Sequence, residues 1–436
     1  MKIACITAGA GRMYCGSCLR DNTLALSLRA AGHDVLLIPT YTPTRTDEAN
    51  ASEDRVFLGG INVYLQQHVA LFRRTPWAFD RLLDYPPLLR MAMRFGVSVD
   101  PHRLGAMTVS MLHGPDGFQR KEIQKLVRYL ADEVAPEIVT LPNSLLIGLV
   151  PAIKGELRVP VCCTFQGEEL FLDSLGEPYR EKSLELIRRH AGRVDVFVAV
   201  SRFGADHMAG YLGIDRDRVQ VVPLGINLDG HAKGPGADPD PFTIGYLGRI
   251  APEKGLHILC EAYHRLVSRD TAPRPSRVWA AGYLGPEHRG YLAGVQKQMA
   301  DWRLADRFHY HGELDRPAKL AFLRGLSVLS VPGSYADPKG LFLLEAMASG
   351  VPIVQPRRGA ATEIVEASGG GILVAPDDVE ALADGLHALM ADPDRRRALA
   401  SQGRDGVRTH YSSTVMRDRA LEVYRSLLVP AGGLAG

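Results

Sequence analysis

The chain has 436 residues, of which 46% are hydrophobic and 23% charged, and its formal net charge is +2. This length exceeds what one hydrophobic core usually organises, so two domains are expected, and the small charge argues against nucleic acid as the main partner. Six scattered cysteines suit a reducing cytosol rather than a disulfide scaffold. No segment approaches the ~18 apolar residues of a membrane span, and the N-terminal apolar run is too short for a signal peptide. A cytoplasmic location is predicted.

The N-terminal segment predicts a strand, a glycine-rich turn, a helix and a second strand. KIACITA leads through AGAGRMYCGSC into the periodic DNTLALSLRAAG, which ends at Gly32 before HDVLLIPTY. This βαβ pattern is typical of a parallel sheet. Further strands are expected at EIVTLP, VPVCCTF, VDVFVAVS and VQVVPLG. Residues 1–227 are therefore predicted to form a first parallel-sheet domain.

Residues 66–103 interrupt this alternation with arginines set among large apolar side chains. A basic, apolar surface of this kind could contact the anionic inner surface of a membrane. The alternative is an inserted helical lid over the substrate site. The lid is favoured because three acidic residues dilute the positive charge. These are Asp80, Asp84 and Asp100.

Residues 228–241 are rich in Gly, Pro and Asp and lack periodicity, which predicts an interdomain linker. The alternation restarts at FTIGYLGRI and continues through RVWAAGYL, RFHYHGEL, LSVLSVP, PIVQP and GILVAP. Residues 242–410 are thus predicted to form a second parallel-sheet domain. Residues 411–430 read as a C-terminal helix able to pack back on the first domain. Two such domains would bind a ligand between them, at the carboxyl ends of the strands.

The stretch YADPKGLFLLEAMASGVP follows one of these strands and predicts a helix that binds an anion at its start. Asp337 is a good N-cap residue, Pro338 suits the first helical position, and Gly340 lets ligand atoms approach the backbone. Glu345 lies about two turns further on, so both carboxylates could face the hydroxyls of one sugar or ribose. The alternative is a capped amphipathic helix with a solvated glutamate. The amides expected to hold phosphate are those of Lys339, Gly340, Leu341 and Phe342.

Two cations, Arg249 and Lys254, lie on the glycine-punctuated loop GYLGRIAPEKG, which follows the first strand of the second half. Guanidinium and ammonium groups on such a loop suit a diphosphate leaving group. Nothing in the sequence supplies a convincing metal cage for that charge. Neither a metal nor another cofactor is therefore expected.

Together these segments resemble the GT-B-fold glycosyltransferases of family 4, the retaining nucleotide-sugar enzymes. The resemblance covers essentially the whole chain and is strongest at GRIAPEKG, at HGEL and at DPKGLFLLEAMASGVPIV, followed by Glu363. It implies an α/β fold with two Rossmann-like parallel-sheet domains facing across a cleft. It also implies metal-independent transfer of a hexose from a nucleoside-diphosphate sugar to a sugar, lipid-linked or small-molecule acceptor.

The resemblance also implies roles for individual residues of the second domain. The family holds its donor with an acid-x7-acid motif, in which Asp337 takes the first position and Glu345, as the second acid, would hold the ribose hydroxyls. Lys339 takes a place often filled by an aromatic residue. Arg249 and Lys254 would stabilise the departing diphosphate. The backbone near Glu313 and Leu314 would line the base pocket.

In the first domain, Gly16 aligns with a family glycine that approaches the phosphates. Family members commonly have histidine in the loop written here TFQGEEL, facing the reacting sugar, where this chain has Gln166. Glutamine can hold a sugar hydroxyl but cannot accept a proton near neutral pH. A front-face route avoids that need, because the leaving phosphate can take the acceptor proton. Other candidates near the reacting sugar are His113, Glu168 and Glu169.

Cys15 and Cys18 form a C-x-x-C at the start of the first helix, where a thiolate would be favoured. One interpretation is a redox or metal role. The favoured one is two small residues beside the glycine of a phosphate-facing turn, because no second pair has metal-binding spacing. Cys162 and Cys163 are expected to face a core.

Two other functions remain open. A non-catalytic GT-B protein that binds a nucleotide sugar as a partner or scaffold is supported by Gln166 and Asp337, which both depart from the family pattern. Arg249, Lys254 and Glu345 argue against it, because a pure scaffold need not keep a full phosphate-binding set. The second alternative is an epimerase or small-glycoside synthase of the same fold.

Overall fold

The computed structural model describes residues 1–9, 14–59, 101–231, 239–269 and 275–428, so nearly all of the basic segment 66–103 lies outside the described residues. The chain divides into two compact units. The first unit contains Met1–Val222 and the residues from Arg417 onward, and the second contains Pro223–Met416. The described residues of the predicted linker belong to the second unit.

A parallel sheet forms the centre of the first unit, and its strands match the apolar runs of the sequence. The strands are β1 (Lys2–Thr7), β2 (Asp34–Pro39), β3 (Ile138–Leu141), β4 (Val161–Phe165), β5 (Val196–Ala199) and β6 (Val219–Val221). Their order is β2-β1-β3-β4-β5-β6, and every pairing is parallel. Cys162 and Cys163 point to opposite faces of β4 and are 1% and 0% exposed, which confirms that both face a core.

The helices of the first unit bury apolar residues, and all but the first of them contribute to one hydrophobic core cluster. They are α1 (Gly16–Ala30), α2 (Pro101–Leu112), α3 (Arg120–Tyr129), α4 (Val150–Glu156), α5 (Glu169–Ser174), α6 (Tyr179–Ala191) and α7 (Arg202–Leu212). Because helices lie against both faces of such a sheet, its strands read as continuous apolar runs without a polar face.

The second unit repeats this architecture. Its strands are β7 (Phe242–Leu247), β8 (Ser276–Ala281), β9 (Phe308–Tyr310), β10 (Val328–Leu329), β11 (Ile353–Pro356) and β12 (Gly371–Val374). Their order is β12-β11-β10-β7-β8-β9, again with parallel pairing throughout. Both units are therefore Rossmann-like, in agreement with the sequence.

Seven helices lie within the described part of the second unit, and one more runs out of it. They are α8 (Leu256–Val267), α9 (Arg289–Asp301), α10 (Arg316–Arg324), α11 (Leu341–Ala348), α12 (Ala360–Ser368), α13 (Val379–Ala391), α14 (Pro393–His410) and α15 (Ser413–Leu428). The last of these, α15, begins in the second unit and ends in the first, because the unit boundary falls after Met416.

Each sheet has one point at which the direction of strand addition reverses. In the first unit this switch point lies between β1 and β3, and in the second between β7 and β10. The loops at the carboxyl ends of the two strands diverge there and leave a crevice, which is the usual ligand site of such sheets. The fold therefore points to one candidate location in each unit.

Candidate active site

The loops that follow β7 and β10 meet at the switch point of the second unit. A Cβ atom on Gly255, at the end of the first loop, would lie 2.2 Å from the carbonyl oxygen of Pro332 in the second. Lys254 Nζ lies 2.6 Å from Asp337 Oδ2 and 5.6 Å from the centre of the Tyr335 ring. The fold thus brings together two predicted site residues that are 83 positions apart in the chain.

The Asp337 carboxylate is held ionised and fixed in orientation. Burial alone would raise its pKa, but the charges of Lys254 and Lys339 and the hydrogen bonds from both outweigh burial and lower the pKa to about 2. The Lys339 backbone N–H donates to Oδ1 at 2.9 Å, and the Ala360 N–H donates to the Asp337 carbonyl oxygen at 2.9 Å. An anion fixed in this way is suited to accept hydrogen bonds from hydroxyl groups.

The helix after Asp337 begins later than the sequence predicted. It begins at Leu341, and the preceding residue, Gly340, has a φ of 64°, a left-handed conformation that favours glycine. The prediction that Asp337 caps this helix and that Pro338 opens it is therefore wrong. The reason is local, since the Asp337 side chain accepts the amide two residues on and forms a turn before the helix starts.

The predicted phosphate seat is smaller for the same reason. The Lys339 amide donates to the Asp337 carboxylate and is therefore not one of the amides available to a phosphate. The amides of Leu341 and Phe342 open the first turn of α11, where helical geometry supplies no backbone partner. They remain the donors best placed to meet an anion, together with the positive end of the helix dipole.

A solvent-open pocket of about 370 Å³ surrounds the Lys254–Asp337 pair. Its lining comes from the loops after β7 and β10, from β11 and the loop after it, and from the first turns of α11 and α12. The lining includes Lys254, Tyr335, Asp337, Gly340, Phe342 and Arg358. The pocket therefore lies where the switch point predicts a ligand.

Arg358 was not identified from the sequence. Its Nη1 donates to the Gly333 carbonyl oxygen at 3.1 Å, and its Nη2 forms an ion pair with Asp377. The side chain is 20% exposed and lines the pocket. The signal that could have found it is its position directly after β11, at the same sheet edge as the other site loops.

Arg249 lies on the same loop as Lys254 but points elsewhere. Its guanidinium forms an ion pair with Glu253, is 40% exposed, and is not among the residues that line the pocket. To reach a diphosphate, this guanidinium would have to exchange Glu253 for the ligand.

Glu345 is also placed differently from the expectation. It is 9% exposed, and its Oε1 forms an ion pair with Lys319 of α10. The spacing argument that set it two helical turns from Asp337 is wrong, because Asp337 precedes the helix. Lys319 was missed because only tertiary packing brings α10 against α11.

The two residues predicted to line a base pocket, Glu313 and Leu314, lie between β9 and α10 and are half-buried. The preceding Gly312 accepts a hydrogen bond at 2.8 Å from the amide of Gly282, which follows β8. A Cβ on Gly282 would in turn lie 1.9 Å from the Gly248 carbonyl oxygen after β7. The loops after these three strands therefore lie side by side at one sheet edge.

In the first unit, Gln166 belongs to a buried polar cluster at the switch point. Its Nε2 donates to Asp21 Oδ1 at 3.2 Å and to the Pro142 carbonyl oxygen at 2.9 Å. Thr7 donates to Asp21 Oδ2 at 3.1 Å, and Arg20 Nη1 lies 3.1 Å from Oδ1. Burial raises the pKa of Asp21, and the Arg20 charge opposes that shift. Asp21 and Arg20 were not predicted from the sequence.

Glu168, an alternative carboxylate near Gln166, has a structural role. Its Oε1 accepts from the amide and the hydroxyl of Ser144, each at 2.9 Å, and its Oε2 accepts from the Gln166 amide at 2.8 Å. These bonds tie the loop after β3 to the loop after β4. Glu169 is also buried, whereas His113 is exposed.

Gly16 is the first residue of α1, and Cys15 is its N-cap residue. A hydrogen bond with Cys15, together with burial, raises the pKa of the Cys18 thiol. The expectation of a favoured thiolate is therefore wrong for Cys18. Among the described residues, no group of three or more His, Cys, Asp and Glu side chains could hold a metal ion. In the same residues, no helix is both long and apolar enough to cross a bilayer.

Two family models match the chain almost end to end. Glycosyltransferase Family 4 matches residues 22–229, and Glycosyl transferases group 1 matches residues 230–406. The chain belongs to the family 4 glycosyltransferases, and its two Rossmann-like units are those of the GT-B fold.

Relatives with curated names share part of their length with this chain. D-inositol 3-phosphate glycosyltransferase of Frankia alni is 30% identical over 235 residues, which are 52% of this chain and 57% of that protein. The enzyme of the same name from Nocardia farcinica is 29% identical over 47% of each chain. Alpha-maltose-1-phosphate synthase of Mycolicibacterium smegmatis is 28% identical over 58% of this chain and 69% of that protein. The chain thus spans about half the length of the first two relatives.

Solved structures resemble the chain over its whole length. Sucrose-phosphate synthase of Thermosynechococcus elongatus has a TM-score of 0.71 at 19% identity and covers 98% of both chains. HepE of Anabaena, solved with UDP and glucose, has a TM-score of 0.70 at 16% identity and covers 98% of this chain and 100% of that chain. At such identities the likeness establishes the fold.

Proposed function

We propose that the protein is a retaining, metal-independent glycosyltransferase that transfers a hexose from a nucleoside-diphosphate sugar to an acceptor. The observation that carries the proposal is the Lys254–Asp337 pair in the pocket at the switch point, beside the first turn of α11. The pair offers a cation for a diphosphate and an anion for sugar hydroxyls at one place. Family membership supports the same function, and so does HepE, a protein of the same fold that was solved with UDP-glucose.

In the proposed reaction, the bond between the anomeric carbon and the diphosphate oxygen breaks, and its electron pair stays on the diphosphate. The acceptor oxygen bonds to the same face of the anomeric carbon, and its proton passes to the departing phosphate. Lys254, the first-turn amides of α11 and Arg249, once released from Glu253, would offset the charge that develops on the leaving group. With that charge met by protein groups, no metal is required.

Other residues orient the donor. Asp337 would accept hydrogen bonds from the sugar, Gly340 would let it approach the backbone, and Glu345 would accept from the ribose hydroxyls. Glu313 and Leu314 would contact the base, mainly through the backbone. In the first unit, Gly16 would approach the phosphates and Gln166 would hold a hydroxyl near the reacting carbon.

The decisive experiment measures release of nucleoside diphosphate from UDP-, GDP- and ADP-sugars, with candidate sugars, lipids and small alcohols as acceptors. We expect release with one donor, and a loss of about 100-fold or more in Lys254→Ala and Glu345→Ala. Lys297→Ala, which removes a 76% exposed lysine from α9, is the matched control. Near-native turnover in either site variant would remove that residue from the mechanism. Binding without turnover under every condition would favour the scaffold alternative.

The same assay with and without anionic liposomes tests contact with the inner membrane surface. Contact with the membrane is a proposal from the sequence, because nearly all of the basic segment lies outside the described residues. A cytoplasmic location is likewise a proposal from the sequence. Stimulation by liposomes would support a lipid-linked acceptor or a surface-bound enzyme. An unchanged rate would favour the lid.

A further inference from the structure

Lys319 and Glu345 form an ion pair that is largely removed from solvent. Their side chains are 10% and 11% exposed, and Lys319 Nζ donates to Glu345 Oε1. Such pairs contribute little net stability, because the cost of desolvating both charges offsets their attraction. An apolar pair would serve packing equally well, so a role in binding accounts for the charges better than stability does.

The position of Lys319 is fixed by the first turn of α10. Asp315 caps this helix by accepting from the Ala318 amide at 3.0 Å, and its carbonyl oxygen accepts from the Lys319 amide at 2.8 Å. Arg316 anchors the same turn by donating to the Asp229 carbonyl oxygen at 2.7 Å. The ammonium group is therefore presented to α11 from a rigid support.

Glu345 is the one carboxylate in the apolar helix α11, whose residues from Leu343 to Ala348 are all buried. Among the residues that the structure describes, Lys319 is the sole hydrogen-bond or ion-pair partner of its side chain. The ammonium engages Oε1, which leaves Oε2 to accept from a ligand. Without such a partner, the side chain would be free to change rotamer.

We propose that Lys319 is a positioning residue for the nucleotide. It holds one oxygen of Glu345 so that the other meets the ribose hydroxyls. This inference rests on the proposed function, because it requires Glu345 to bind the ribose. Lys319 lies in the helix that directly follows Glu313 and Leu314, five residues after Leu314, so the base loop and the ribose anchor share one support.

The test measures calorimetric affinity for whichever of UDP, GDP and ADP the wild type binds, together with Tm. We expect Lys319→Met to weaken binding about ten-fold, and Lys319→Arg to stay within about three-fold of the wild type. In a Glu345→Gln background, Lys319→Met should add less than about a two-fold loss, because the two residues act as a unit. Lys297→Met is the surface control. If Lys319→Met does not fold, Lys319→Gln carries the same comparison.

Three outcomes would overturn the inference. The first is an equal loss of affinity from Lys319→Met with and without Glu345→Gln, which would mean that Lys319 acts independently of Glu345. The second is a lower Tm with unchanged affinity, which would mean a structural role only. The third is a wild type that binds none of the three nucleotides. In that case the proposed function fails first, and the positioning role fails with it.

Discussion

The ammonium of Lys254 lies 2.6 Å from the carboxylate of Asp337, and this contact keeps an acid ionised inside a pocket. Burial opposes ionisation, yet the neighbouring charges and hydrogen bonds lower the pKa of Asp337 to about 2. The pKa of an aspartate in an unfolded chain is about 4. The pair therefore stabilises the fold fully above pH ~4, and its contribution is lost as the pH falls toward 2.

Replacing Lys254 by methionine should flatten this pH dependence. The variant should lose about 1–3 kcal/mol in the free energy of unfolding at pH 7, because Asp337 loses the ammonium group that pairs with Oδ2. Between pH 4 and pH 2.5, the free energy of unfolding of the variant should then fall less than that of the wild type. Urea unfolding at several pH values measures both, with Lys297→Met as control. Parallel curves for wild type and Lys254→Met would show that the pair does not set the ionisation of Asp337.

Gln166→Glu should place a second carboxyl group beside Asp21 in the buried cluster. Two buried like charges at this distance cannot both ionise, so the pKa of the pair rises above its unfolded value. We expect a loss of about 2 kcal/mol or more at pH 7 that is recovered as the pH falls toward 4, because the variant is most stable when protonated. Gln166→Met, which cannot titrate, should lose stability without this recovery. Thermal unfolding from pH 4 to pH 8 measures this difference. Identical pH profiles for the two variants would contradict the prediction that the introduced carboxyl group titrates beside Asp21.

Gly359→Ala should displace Asp337, the residue proposed to bind the sugar. Gly359 has a φ of 59°, and a Cβ there would lie 2.6 Å from the Asp337 carbonyl oxygen. The substitution should cost at least about 1 kcal/mol and weaken donor binding, because the Asp337 backbone must shift. Gly294→Ala is the matched control, since a Cβ there meets nothing within 4 Å and lies in α9. This control should leave stability equal or raise it by up to about 1 kcal/mol. Unchanged donor affinity in Gly359→Ala would count against the assignment of Asp337.

His190 should make the first unit sensitive to mild acid. Its Nε2 lies 2.9 Å from the Leu112 carbonyl oxygen, and burial lowers its pKa. The unfolded chain, with a histidine pKa of about 6.5, then binds the proton more tightly, so stability falls as the pH drops below that value. His190→Gln keeps a donor for Leu112 and should reduce the slope between pH 7 and pH 5. Exposed His410→Gln should not, and equal slopes for all three proteins would refute the role of His190.

The sequence predicted the strands of both sheets because they are short, continuous apolar runs bounded by turn residues. It also predicted that Lys254 and Asp337 belong to a ligand site, because each lies on a segment that follows an apolar strand. Segments at the carboxyl ends of parallel strands gather at one sheet edge. The predicted start of α11 was wrong, because the Asp337 side chain can either cap a helix or close a turn. The sequence pattern alone does not distinguish these two hydrogen-bonding arrangements. Lys319, Arg358 and Asp21 carry no periodic signal. Their roles arise only when packing brings distant elements together.

The helix α15 is synthesised last, although most of it belongs to the first unit. The first unit includes residues from Arg417 onward, and among them Tyr424 is only 3% exposed. About two hundred residues, those of the second unit, must therefore leave the ribosome before the residues of α15 that complete the first unit are synthesised. Nascent chains stalled ahead of that helix should leave the apolar surface it covers open to chaperones, whereas the carboxyl-terminal half matures without such a delay.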